Sequence, residues 1–304
     1  MMTARIALAL ATIAGAMGCD AEDGSRPELV WGIRGTRDGW IQKPRVAAFD
    51  ADDRLYLADL TDRIQVFDRD GKFLRSWRTP EFNVDGPNGL TVDARGRVLV
   101  ADTHFYRVLV YSPEGKILLQ VGDGVQGTTP GRFGYPTDVV TDKAGNFYVS
   151  EYGENDRIQV FSPEGKWLRQ WGGQGYAPGE LLKPRALAID DRERIYVADS
   201  VNHRIQVFNT AGKLLRSWGR KGSGPGELMY PYDLAIGPDG MLYVCEYGNH
   251  RVQKFDLDGR SKGTWGRSGR GPGELFNPWA LAVDGRGAVS VVDSNNHRIQ
   301  RFRM

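Results

Sequence analysis

The chain has 304 residues, 40 % of them hydrophobic, with 39 glycines, 8 tryptophans and a formal net charge of +2. That composition holds enough apolar material for a packed domain and more turn residues than a helical protein tolerates. The near-neutral charge balance provides no electrostatic ground for nucleic acid or for an acidic substrate.

In chain order, the opening stretch MMTARIALALATIAGAMGC carries Arg5, an apolar run from Ile6 to about Ile13, and then small residues. This is the layout of a secretory signal peptide, expected over residues 1–18. The run is far shorter than the roughly 20 residues needed to cross a bilayer. The segment Ala16-Met17-Gly18-Cys19 resembles the lipobox of bacterial lipoproteins. That resemblance implies a lipid on Cys19, residues 19–27 as a polar tether, and an exported protein anchored to a membrane of the bacterial cell envelope. Ala16 stands where that family prefers Leu, so cleavage near Gly18 with release as a soluble periplasmic or secreted protein is the alternative. The other cysteine, Cys245, lies in the apolar run Leu242-Tyr243-Val244-Cys245 and reads as a small buried hydrophobe.

From residue 28 onward the chain repeats. A proline followed by an apolar strand recurs at Pro44, Pro87, Pro136, Pro184, Pro231 and Pro278, defining six units. Each continues with a strand ending in an acid (LYLAD, VLVAD, FYVSE, IYVAD, LYVCE, VSVVD) and a third strand opened by arginine (RIQVF, RVLVY, RIQVF, RIQVF, RVQKF, RIQRF). In five units a DGK- or EGK-like turn then leads into a fourth strand. Four short strands per unit with Gly/Asp turns are the sequence form of a propeller blade. The sixth unit reaches Met304 straight after its third strand, while Glu28-Leu29-Val30-Trp31-Gly32 reads like a fourth strand. Residues 28–32 are therefore expected to complete the last blade and remove two open edges.

The triplets Asn202-His203-Arg204, Asn249-His250-Arg251 and Asn296-His297-Arg298, together with the loops GSGPGEL at 222–228 and GRGPGEL at 269–275, resemble the NHL repeat family. The expected fold is all-β, a six-bladed propeller over residues 28–304. Propellers host binding and catalysis alike, so function has to be argued from a site.

The turns from first to second strand and from third to fourth emerge on one face; the second-to-third loops and the interblade loops, expected to be longer, emerge on the other. Function on a rigid repeat scaffold usually sits on long loops. The residue after each repeat proline is expected to open onto the mouth of the central channel there: Arg45, Asn88, Thr137, Arg185, Tyr232 and Trp279, with Asp138 and Asp233 one step further. These positions vary most in chemistry among similar repeats and suit hydrogen bonding and stacking on a protein, peptide or glycan ligand. Solvated rim residues with no fixed partner are the alternative.

Arg63, Arg107, Arg157, Arg204, Arg251 and Arg298 each follow the acid of the preceding strand, and this once-per-blade recurrence predicts structural ion pairs. His203, His250 and His297 occupy equivalent positions in three blades, so they spread round the ring instead of converging on zinc. Amidating lyases, which these repeats also resemble, carry zinc-binding histidines after the repeat prolines, where this chain has none. Gluconolactonase-like propellers hold a cation with Glu, Asn and Asp; Asn88, Asp138 and Asp233 offer partial material for this, but Arg45 and Arg185 oppose a cation. A binding or scaffold module without cofactor or catalytic residue is therefore expected, with a metal-assisted propeller hydrolase or lyase as the alternative.

The anchor is directly testable. Cys19→Ala is expected to move the protein from the membrane to the soluble fraction, because a multiply acylated cysteine exceeds the two-signal requirement for stable anchoring. A wild-type protein that is already soluble and lipid-free would refute the lipobox reading.

Overall fold

Prolines, β-branched residues and tight glycine turns divide the chain into short antiparallel strands in the computed structural model, which describes residues 26–81 and 86–304. The expected leader, Cys19 and the tether up to residue 25 lie outside the described residues. Six four-stranded sheets follow one another round a ring. Their inner strands are Pro44–Phe49, Gly89–Val92, Tyr135–Thr141, Pro184–Ile189, Pro231–Ile236 and Ala280–Val283. No helix among the described residues is long and apolar enough to cross a membrane.

Ring closure follows the sequence expectation. Leu29–Trp31 pairs antiparallel with Arg298–Phe302, in the register Leu29 with Arg301, Val30 with Gln300 and Trp31 with Ile299. Trp31 then packs on Phe67 of the first blade at 4.6 Å between ring centroids, joining the last blade to the first. The same contact recurs between neighbours: Trp77 meets Tyr111, Trp171 meets Phe208, and Trp265 stacks on Phe302 at 3.7 Å. A tight turn passes beneath Trp31, Trp77, Trp171 and Trp218. Gly71 has φ +84°, and a Cβ there would lie 2.7 Å from the Trp31 ring, so the turn needs glycine for both backbone conformation and clearance.

The second and third strands are the buried layers; every residue of Leu55–Asp59 and Arg63–Phe67, for instance, is buried. The expected acid–arginine pairs form in all six blades, with N–O separations of 2.5–3.0 Å from Arg63–Asp59 through Arg298–Asp293. They also hold the preceding interblade loop. Arg204 donates to the carbonyls of Tyr176, Ala177 and Glu180, and Arg251 to those of Ser223, Gly224 and Glu227.

One expectation needs correcting. The second-to-third connections are short, as at 60–62 and 200–203, against 50–54 and 190–194 on the opposite face. The depth of the face bearing these connections therefore comes from interblade segments such as 219–230. These are drawn into narrow loops by parallel bridges, Arg34 with Ile41, Gln174 with Leu181 and Lys221 with Leu228 among them.

Deleting the chain through Gly32 is expected to lower unfolding stability by about 2–4 kcal/mol, from the lost burial of Trp31 and the exposure of a strand edge. Denaturant melts of versions starting at residue 26 and at residue 33 check this. Equal midpoints would refute closure as a stabilising element.

Candidate functional site: the channel mouth

Proline has no N–H to give to a ladder, and the pairing slips just after it, between Pro44 and Val46, Pro136 and Asp138, Pro184 and Leu187, and Pro231 and Asp233. Such a bulge re-aims the side chain that follows the proline. A cavity of about 490 Å³ runs along the inner strands, and Arg45, Asn88, Asp138, Arg185, Tyr232, Asp233 and Trp279 all line it. Seven of the eight expected residues are thus brought together.

Thr137 is the exception and does not reach the cavity. It is fully buried, and its hydroxyl donates to the carbonyl of Pro184 at 2.8 Å while lying 2.8 Å from the Ser150 hydroxyl. A small β-branched residue at the bulge satisfies an interblade carbonyl, where arginine or an aromatic at the same position projects into the channel. Asn88 lines the cavity, but its amide is directed to the Thr103 hydroxyl at 3.1 Å.

The mouth is an arrangement of cations on aromatic faces. The Arg45 guanidinium lies 3.9 Å from the centroid of Trp279. Arg185 lies 4.6 Å from Tyr232 and 5.5 Å from both Tyr152 and Trp279. Tyr232 stacks on Tyr247 at 4.4 Å and meets Trp279 edge-on at 5.2 Å, and Tyr152 stacks on Tyr135 at 5.2 Å. Tyr152 and Tyr247 were not among the expected residues. Both follow the glutamate closing a second strand, in the tripeptide Glu-Tyr-Gly, where the other blades have Leu60, Thr103, Ser200 and Ser294. That departure from the repeat was the available signal.

Asp138 and Asp233 sit one step along the inner strands and bridge blades. Asp138 accepts the N–H groups of Val139 and Leu187, and Asp233 those of Leu234 and Leu281, all at 2.8 Å. Burial pushes the Asp138 carboxyl up to about 7, against the pull of those N–H bonds. Burial, reinforced by the charge of Asp138, holds Asp233 well above the ordinary carboxylate range. Carboxyls whose two oxygens are both taken by backbone N–H groups, and whose burial disfavours the charged form, are poor ligands for calcium or magnesium, which need several ionised or carbonyl oxygens. With two guanidinium groups at the same mouth, the Asn88, Asp138 and Asp233 set does not fit a divalent cation. Among the described residues no group of three or more His, Cys, Asp or Glu is placed to hold a metal ion.

The histidines have an interblade role. Nδ1 of His203, His250 and His297 accepts the backbone N–H of Tyr230, Asn277 and Lys43, each at 3.0 Å. Each bonded residue directly precedes a repeat proline and has positive φ, so the imidazole secures the strained entry to the next inner strand. In the third blade Asp156 takes the same part for Lys183.

Six four-stranded blades round one channel define the class, a six-bladed β-propeller, and the Asn-His-Arg triplets in three of the blades are similar to the NHL repeat. A family model described as a 6-bladed beta-propeller matches residues 191–265, and the NHL repeat matches 277–302. The chain is 36 % identical over 124 residues to peptidyl-glycine alpha-amidating monooxygenase B of Xenopus laevis, covering 38 % of this chain and 14 % of that protein. It is 30 % identical over 165 residues to NHL repeat-containing protein 3 of Mus musculus, covering 49 % of this chain and 46 % of that one. The match therefore spans less than half the length of either relative. Among solved structures, a streptogramin B lyase superposes with a TM-score of 0.65 at 13 % identity, covering 90 % of this chain and 96 % of its own. A catalytically inactive virginiamycin B lyase of Staphylococcus aureus with quinupristin gives 0.60 at 15 % identity, covering 90 % and 88 %. At such identities the likeness is one of fold.

The imidazole bonds imply a pH response. Burial lowers the affinity of His203, His250 and His297 for a proton below their ordinary value near 6.5, so the unfolded chain protonates first. Their contribution is complete above about pH 6.5 and is lost as pH falls below it. Replacing all three by Ala is expected to cost about 0.5–1.5 kcal/mol per bond at neutral pH and to flatten the decline in Tm from pH 7 towards pH 5. An undiminished decline would refute the assignment.

Proposed function

We propose that this chain is an exported, lipid-anchored NHL-repeat propeller that acts as a binding or scaffold module, taking a protein, peptide or glycan partner at the channel mouth. The observation that carries the reading is the cluster of Arg45, Arg185, Tyr232 and Trp279 around one cavity, with cations laid on aromatic faces. Aromatics and arginine dominate binding hot spots because they contribute large contact area together with directed hydrogen bonds. Here they stand on inner strands, or in Trp279's case directly before one, fixed by the blades behind them, so little ordering remains to be done on binding.

The measurement is crosslinking in intact cells of the native organism, followed by affinity capture with purified variants. Arg185→Ala and Trp279→Ala are each expected to weaken capture by about 2 kcal/mol or more while Tm stays near wild type. Arg204→Ala is expected to do the reverse, because it leaves the buried Asp199 without its partner and costs about 3–5 kcal/mol of stability. Normal capture by the mouth variants, with loss on Lys116→Glu on the opposite face, would reject this face. A chelator-sensitive Tm and stoichiometric metal in the purified protein would favour the hydrolase or lyase alternative.

A further inference from the structure

The arginines of this propeller divide by what holds them. Arg63, Arg157, Arg204, Arg251 and Arg298 are each bound to an acid and to carbonyls of an interblade loop, and Arg107 is bound to Asp102 and Glu81. Arg185 is held by rings instead: Tyr232, Tyr152 and Trp279 surround its guanidinium. Among the described residues no carboxylate or carbonyl accepts a hydrogen bond from it. Rings that engage the faces of a planar cation leave its N–H edge for hydrogen bonds in the plane.

The surroundings favour an anion at that edge. Arg45 shares the Trp279 ring, and Lys183 lies 5.7 Å from Tyr152, so three cations converge on one group of aromatics. Of the acids lining the cavity, Asp138 and Asp233 are directed to backbone N–H groups, and Asp93, Asp142, Asp190, Asp191 and Glu193 follow the far ends of the inner strands, away from the residues after the prolines. Arg185 is only partly exposed, which strengthens a charged hydrogen bond relative to one in open water. The cavity, about 490 Å³, has the size of a small-molecule site.

We propose that the channel mouth is a carboxylate-binding site in which the N–H edge of Arg185 takes the anion by paired hydrogen bonds while Tyr152, Tyr232 and Trp279 fix the guanidinium plane. This rests on the channel mouth being the binding face and names the group that face selects. The ligand class is a carboxylate on a body small enough to enter the cavity, a chemistry shared by a peptide C-terminus and a sugar acid.

Calorimetric titration with two matched pairs tests the assignment and separates those sources: N-acetylphenylalanine against its primary amide, and glucuronate against glucose. At least one acid is expected to bind at millimolar concentration, about tenfold or more tighter than its neutral counterpart. Arg185→Gln is expected to abolish that preference. Arg185→Lys, which keeps the charge and removes the planar fork, is expected to weaken it, and this variant carries the test should Arg185→Gln fail to fold. Equal binding of acid and neutral partners, undiminished acid binding by the folded variants, or no binding of either acid at millimolar concentration would each overturn the proposal. Partner capture that survives Arg185→Ala while the acids still bind the wild type would overturn the partner-face reading alone. Lost capture without any acid preference would overturn the carboxylate assignment alone.

Discussion

In five of the six blades, a buried glutamine two residues beyond the repeat arginine completes a three-part clamp on the interblade loop. Gln65, Gln159, Gln206, Gln253 and Gln300 each donate to a loop carbonyl, at Trp40, Arg132, Glu180, Glu227 and Glu274. Each also accepts a loop N–H, from Gly39, Gly131, Gly179, Gly226 and Gly273. The acid takes a further N–H where the loop leaves for the next inner strand, as Asp199 does from Leu182 and Asp293 from Phe276. Long loops on a buried scaffold carry polar backbone groups that must be paired. The acid–arginine–glutamine set pairs them once per blade, and the rest of the structure depends on it. In the second blade Leu109 replaces the glutamine, and Arg107 turns to Glu81.

Because the loops are held from below, the residue after each proline begins from a fixed backbone. A loop free to rearrange would lose side-chain and backbone entropy on gripping a partner; a clamped one loses little. The blade arginines and Arg185 illustrate two uses of one side chain. Surrounded by acid and carbonyls, guanidinium acts as a strut. Surrounded by aromatic faces, it is held without spending its directional donors on an acid or a carbonyl among the described residues.

Much was legible from residue order alone, and for a physical reason. Blade number, strand limits, closure by Leu29–Trp31 and the six acid–arginine pairs follow from a repeat in which the same local environment recurs at a fixed spacing. A pair required once per blade appears in the sequence once per blade. The glutamine was printed just as regularly in RIQVF, yet its role depends on a loop about 26 residues upstream that pairing patterns within the blade do not reveal.

The sequence by itself determined the all-β propeller, the face bearing the interblade loops and the candidate ring of residues after the prolines, because these depend on periodicity and on proline's missing donor. Tertiary structure alone decided which members of that ring share a site. Thr137 turned into the blade interface to satisfy the Pro184 carbonyl, while Tyr152 and Tyr247, each just after the acid of a second strand, came to pack on Arg185, Tyr232 and Trp279. Those outcomes depend on the direction of a bulged side chain and on the packing between adjacent blades. Neither quantity recurs with the repeat, so neither can be read from its period.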